Sequence, residues 1–162
     1  MPDLPLAEDV NYWKTGSSSE DTWLDKAQRL IEDLGGAVYG KAIGMLNGQG
    51  AVTLKFRLAG DDYRILWPVL LTRDGERDTR AARVQAATTV YHDVKAKTMV
   101  AKVIGQRAAF VGNLLTDQGI TVAQYFDSQQ RHLALPNLLG DPAPDEPKKR
   151  LATRDLVEQD GG

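Results

Sequence analysis

The chain has 162 residues, 42% of them hydrophobic, and sets 20 Lys and Arg against 22 Asp and Glu, with no cysteine. That is enough apolar material for one domain with its own core, and the missing thiols exclude disulfides, cysteine nucleophiles and sulfur-ligated zinc. No run approaches the ~18 apolar residues of a membrane span, and MPDLPLAEDVNYW lacks the basic and apolar regions of a secretory leader, so a soluble, cytoplasmic protein with no membrane partner is expected.

Charge is unevenly distributed. Residues 1–36 hold eight acids and three bases, whereas residues 37–135 hold eight acids and thirteen bases. Residues 141–162 hold six acids and four bases, with three prolines from 142 to 147. This composition predicts a disordered, Pro-rich charged tail over 136–162, available to a protein partner. Residues 1–16 read as an N-terminal extension and 17–135 as a single domain.

The first element is a helix. Trp23, Leu24, Ala27, Leu30, Ile31 and Leu34 recur on one stripe, Ser17 and Glu20 have capping-box spacing, and Gly35-Gly36 supplies a stop signal. Three strands follow, AVYGKAI, AVTLKFRL and YRILWPVLL, separated by Asn47-Gly48 and by AGDD, which predicts an antiparallel meander. In the second strand Val52, Leu54, Phe56 and Leu58 share the dry face. Lys55 and Arg57 share the other, where Arg64 of the third strand joins them. Pro68 belongs at a strand end or an edge.

Residues 79–104 contain neither Gly nor Pro and predict one helix of roughly seven turns. Val84, Ala87, Tyr91, Val94, Thr98 and Ala101 form its docking face, with Val90 and Ile104 at the margin. His92, Lys95, Met99 and Lys102 form a neighbouring stripe. Gly105 interrupts the helix, QRAAFVGNLL continues as a shorter segment, and TVAQYFDSQQRHLAL offers a last helix ending before Pro136. The fold class is therefore α+β: a helix, a three-stranded antiparallel meander, a long basic helix packed on the sheet, and a small C-terminal helical appendix.

The segment YHDVKAK, residues 91–97, places a histidine beside an aspartate. On a regular helix they diverge by ~100°, which prevents a local catalytic pair or a shared metal. The other histidine, His132, has no helical set of ligands. No phosphate loop, nucleophile elbow or dinucleotide fingerprint is present. No catalytic residue, cofactor or metal is assigned, and a non-enzymatic role is expected.

What remains is charge. Between residues 79 and 116 there are six bases, Arg80, Arg83, Lys95, Lys97, Lys102 and Arg107, and one acid, Asp93. Such an excess either meets a polyanion or is neutralised by the acidic first helix or the tail, within one chain or between subunits.

The meander followed by a long helix carrying AATTVYHDVKAK, Ala86 to Lys97, resembles the phage-type single-strand annealing proteins, the Erf-like recombinases, over about residues 20–110. Asp93 interrupts the basic run. The resemblance implies a homo-oligomer that binds single-stranded DNA and anneals it in recombination or in phage or mobile-element DNA metabolism, without a cofactor. It makes Arg83, Lys95, Lys97 and Lys102 candidate phosphate contacts; charge alone adds Lys55, Arg57 and Arg64. Double-stranded RNA-binding modules share the element order, but the second helix here is too long and lacks their N-terminal lysine cluster. A non-catalytic structural or interaction protein is the alternative.

Overall fold

The computed structural model describes residues 3–46 and 48–129. The chain divides at Asp127/Ser128 into two units. The architecture below is that of the first; the tail over 136–162, His132 and the helix end near Pro136 lie outside the described residues.

Helix α1 spans Glu20–Asp33. Its N-cap is Ser19, whose hydroxyl accepts the Thr22 N–H at 3.3 Å, not Ser17 as the capping-box spacing predicts. Two residues further on, Ser19 stands directly before the first helical turn, and Glu20 itself begins the helix. At the other end Gly35 (φ 90°) adopts the left-handed conformation. The N–H groups of Gly35 and Gly36 then reach back to the carbonyls of Glu32 and Ile31, the paired bonds of a Schellman stop.

Strands β1 (Ala37–Leu46), β2 (Gln49–Leu58) and β3 (Asp61–Pro68) form an antiparallel sheet in the order β1-β2-β3. The β2–β3 turn is a two-residue hairpin with positive φ at both Ala59 (51°) and Gly60 (83°), the twist such hairpins require. Between Val38 and Gly40 the β1 register slips, leaving Tyr39 as the extra residue of a bulge. On β3, the edge is partly paired by a bridge from Tyr63 to Leu114, and the Leu115 N–H donates to the Asp62 carbonyl at 2.8 Å.

Helix α2 spans Arg80–Ile104, capped by the Thr79 hydroxyl, which accepts the Ala82 N–H. It lies on the dry face of the sheet beside α1. Arg83 meets Glu20 near the start of both helices, and the Gln106 side chain donates to the Leu34 carbonyl beyond their ends, so the two run in parallel. The core joins Leu24, Ala27 and Ile31 of α1 to Val52, Leu54, Phe56 and Leu58 of β2 and to Ala87, Val90 and Val94 of α2. After Gly105 (φ 98°) breaks α2, the short α3 (Gln106–Ala109) leads into Phe110. The Phe110 ring packs edge-on against Phe56 and Tyr63 at 5.4 and 5.8 Å, closing that end of the core. Helix α4 (Val122–Ser128) follows a hairpin-like turn.

Residues 3–16 lie against the domain as a strap. Gln85, buried in the second turn of α2, donates its side-chain amide to the carbonyls of Ala7, Val10 and Asn11 at 2.8, 3.1 and 3.0 Å. The Ala7 N–H donates to Leu71, and both Glu8 carboxylate oxygens accept from the Arg73 N–H. At the strap's turn Tyr12, held at φ 69°, lays its ring flat on His92 at 4.6 Å.

Candidate nucleic-acid interface

The seven candidate cations lie on two sides of the molecule. Lys55, Arg57 and Arg64 occupy the outer face of the sheet, opposite the helices, and the other four lie on α2. One flat polyanion track cannot touch all seven at once.

On the sheet, Lys55 and Arg64 stand directly opposite each other across β2 and β3. Like charges in that relation repel, and the pair concentrates positive potential there. The stem of Lys55 lies over Gly40, where a Cβ would come within 3.2 Å of it. Lys55 is exposed with no side-chain partner among the described residues. Arg64 is less available: its terminal nitrogen donates to Gln124 of α4 at 2.8 Å, and its Nε is buried without a partner.

Arg57 is held in a two-pronged contact by Asp62, at 3.0 and 3.1 Å. The guanidinium beside it, assisted by the Tyr39 hydroxyl, keeps the Asp62 carboxyl below its usual range. A phosphate would have to displace a carboxylate with good bidentate geometry to reach Arg57.

On α2, Arg83 lies 3.4 Å from both Glu20 and Asp78. Its Nε is buried and close to the Glu20 carboxylate but outside hydrogen-bond alignment, so the attraction there is electrostatic rather than directional. Lys97 is tied to Asp93 at 2.6 Å and to the Asn113 side chain at 2.9 Å. Asn113 in turn donates to the Arg64 carbonyl, so Lys97 anchors the segment after α3 to the sheet. Arg107 is paired with Asp61 at 3.0 Å. Acids outside α2 and Asp93 on α2 itself therefore neutralise three of the six bases on this stretch.

Lys95 and Lys102 stand apart from this network. Both are exposed and have no acidic partner among the described residues. Seven residues separate them, about two turns or ~10.5 Å along one side of the helix. The third base without such a partner is Arg80, at the helix start.

Around these lysines α2 changes character. Over its first half it is covered on nearly every side, and His92 is stacked under Tyr12 rather than facing outward as the sequence stripe suggests. Trp23 and Tyr91 complete that aromatic cluster at 5.2 Å, with the Lys26 ammonium 4.4 Å from the Trp23 ring centre. From residue 95 onward only Thr98 and Ala101 are buried. Met99 is 62% exposed, Val103 84% and Ile104 61%, with Val100 beside them on the helix. Ile104 is thus not at the margin of the docking face but largely exposed.

Sequence spacing did not reveal the strap, whose contacts depend on one buried glutamine 70 to 80 residues away. The Asp93–Lys97 pair, by contrast, carries the i, i+4 signal. Among the described residues no cluster of three or more His, Asp or Glu side chains converges on one point, and no helix is long and apolar enough to cross a membrane. Compared with known protein families, curated proteins and solved structures, the chain matches none.

Proposed function

We propose that this protein binds single-stranded nucleic acid as a homo-oligomer and acts by holding and annealing strands, without bond-making chemistry. The observation that carries the reading is the pair Lys95 and Lys102: exposed, without an acidic partner among the described residues, and aligned on one side of α2. Ammonium groups so placed release counterions from a phosphate backbone and confer salt-dependent, sequence-independent affinity. Lys55 is an auxiliary contact on the opposite face. Arg57, Arg64, Arg83 and Lys97 are assigned to holding the fold, because each already has a partner. The homo-oligomer rests on the bare apolar surface of Met99, Val100, Val103 and Ile104, larger than isolated exposed residues require. Assignment to recombination or to phage or mobile-element DNA metabolism follows from the sequence resemblance alone.

Anisotropy of a labelled single-stranded oligonucleotide tests the reading. The native protein should lose ~7-fold in affinity per protomer for a fourfold rise in salt, from two phosphate contacts on a single strand. Lys95→Glu with Lys102→Glu should abolish binding while leaving the melting temperature unchanged. Equal affinity in native and double variant would remove the basis of the proposal.

The same apolar surface favours a second reading, a non-catalytic interaction protein whose partner covers the end of α2. That reading expects a stoichiometric protein complex free of nucleic acid, and no oligonucleotide binding at low salt.

A further inference from the structure

Three of the surface clefts formed by described residues differ in charge. The cleft between α1 and β1 is lined by Glu20 and Asp21 as well as Lys41 and Arg83, and the cleft near Gly50 includes Asp78 beside Arg77. The third, of about 400 Å³, lies between the strap and the start of α2 and is lined by Lys14, Gly16, Ser17, Ser18, Arg80, Ala81 and Val84. It contains two cations and two hydroxyls but no carboxylate.

We propose that this third cleft is a binding site for a phosphomonoester, with Lys14 and Arg80 as its charge-bearing groups and Ser17 and Ser18 as hydroxyl donors. A terminal phosphate carries about −1.5 to −2 charges at neutral pH, against one for a backbone diester, and two cations match the former. Neither Arg80 nor Lys14 is paired with an acid among the described residues: the Lys14 ammonium rests 5.3 Å from the Trp13 ring centre. A carboxylate bearing on it, that of Glu8, already accepts the Arg73 backbone N–H through both oxygens. No acid occupies the first turn of α2, so its field adds to the two cations instead of opposing them.

The site is built by tertiary contacts rather than by a local motif. Lys14 is held at φ 51° in a loop whose carbonyls are gripped by Gln85, one and a half turns along the helix from Arg80. Loop and helix start are thereby fixed with respect to each other before any ligand arrives, which lowers the ordering cost of binding.

Two sources supply this chemistry: the 5′ end of a nucleic-acid strand, or a free phosphomonoester. The strand-end source rests on the function proposed above; the free-ligand source does not. A 3′-labelled oligonucleotide bearing either a 5′-phosphate or a 5′-hydroxyl should therefore be titrated against the native full chain and Lys14→Gln/Arg80→Gln. In parallel, inorganic phosphate and deoxythymidine 5′-monophosphate should be titrated calorimetrically against both proteins, with circular dichroism confirming that the variant is folded. If the site receives a strand end, the 5′-phosphate tightens native binding by about three- to tenfold and the variant shows no such gain. If it receives a free ligand, calorimetric heat appears for the monophosphate with the native protein and is lost in the variant. Heat of equal size in both proteins, or no effect of phosphate in either arm, overturns the proposal. Failure of the 5′-hydroxyl strand to bind counts against the strand-binding function alone, because the calorimetric arm reads the cleft without a strand.

Discussion

The two halves of α2 belong to one uninterrupted helix yet have opposite surroundings. From Ala82 to Val94 the helix is enclosed by the sheet, by α1 and by the strap, and even a glutamine there is fully buried. From Lys95 to Ile104 it buries only Thr98 and Ala101, ties Lys97 to Asp93 and Asn113, and turns Met99, Val100 and Val103 outward beside Lys95 and Lys102, which have no acidic partner among the described residues. The first half is exposed to mutation through stability; the second should respond through binding and assembly. The contrast also bears on why the basic residues are not equivalent. Arg83, in the enclosed half, is taken up by Glu20 and Asp78, whereas Lys95 and Lys102 are exposed without an acidic partner among the described residues.

The largest expected effect comes from placing the same charge in each half. Val90→Asp puts a carboxylate into a fully buried site and should unfold the protein or leave it without a cooperative melting transition, since an unpaired buried charge exceeds the stability of a domain this size. Val103→Asp, at a position 84% exposed, should change the melting temperature little and instead reduce the oligomer seen by light scattering. Similar loss of stability in both variants would break the distinction.

Next in size is Gln85→Leu. Removing the amide takes the side-chain donor from the Val10 and Asn11 carbonyls and leaves that of Ala7 only the Val10 N–H, at a cost of about 2–4 kcal/mol. Urea denaturation should show the loss, and hydrogen exchange should show faster exchange at Ala7 and Val10, whose N–H groups are bonded to Leu71 and Ala7, before it does so at Leu54 or Val90. Uniform acceleration over the whole domain would mean that the strap is not a separate layer.

A smaller effect is expected with acid. The backbone N–H of Arg73 holds the Glu8 carboxyl below its usual range, and Lys41 does the same for Asp25. Groups lowered in the folded state stabilise it above their ordinary titration range, and that contribution is lost as the pH falls through their lowered values. The strap and the α1–β1 contact should therefore loosen as the pH falls from the ordinary carboxylate range through these lowered values, ahead of the core. Tyr12 fluorescence and exchange near Lys41 can follow it, and Glu8→Gln should remove the strap component of the change.

Much of the fold was legible because its periodic signals agree: the 3.6-residue stripe of α1, the alternation in β2, the turn residues at Gly48 and Gly60, and the long glycine-free stretch of α2. The cap was misplaced by two residues because four consecutive polar residues, Ser17 to Glu20, offer several N-cap choices and packing of Leu24 selects among them. The candidate site was only partly legible. Helical geometry separated His92 from Asp93 and put Lys95 and Lys102 on one side, but pairing between distant segments decides which cations are free. Arg57 with Asp62 and Arg107 with Asp61 depend on the β2–β3 register and on where α3 turns, and no local pattern encodes them. Asp61 and Asp62, read as turn residues, are in fact the partners that withdraw two arginines from the surface.

The most direct test of the central claim, that the bare end of α2 is the working surface, is size-exclusion chromatography with light scattering, with and without single-stranded DNA, at low and high salt. The account expects an assembly larger than one chain that takes up DNA at low salt and releases it at high salt, with both properties reduced when Lys95, Lys102 and Val103 are replaced. A monomer that elutes unchanged with DNA at low salt would contradict it.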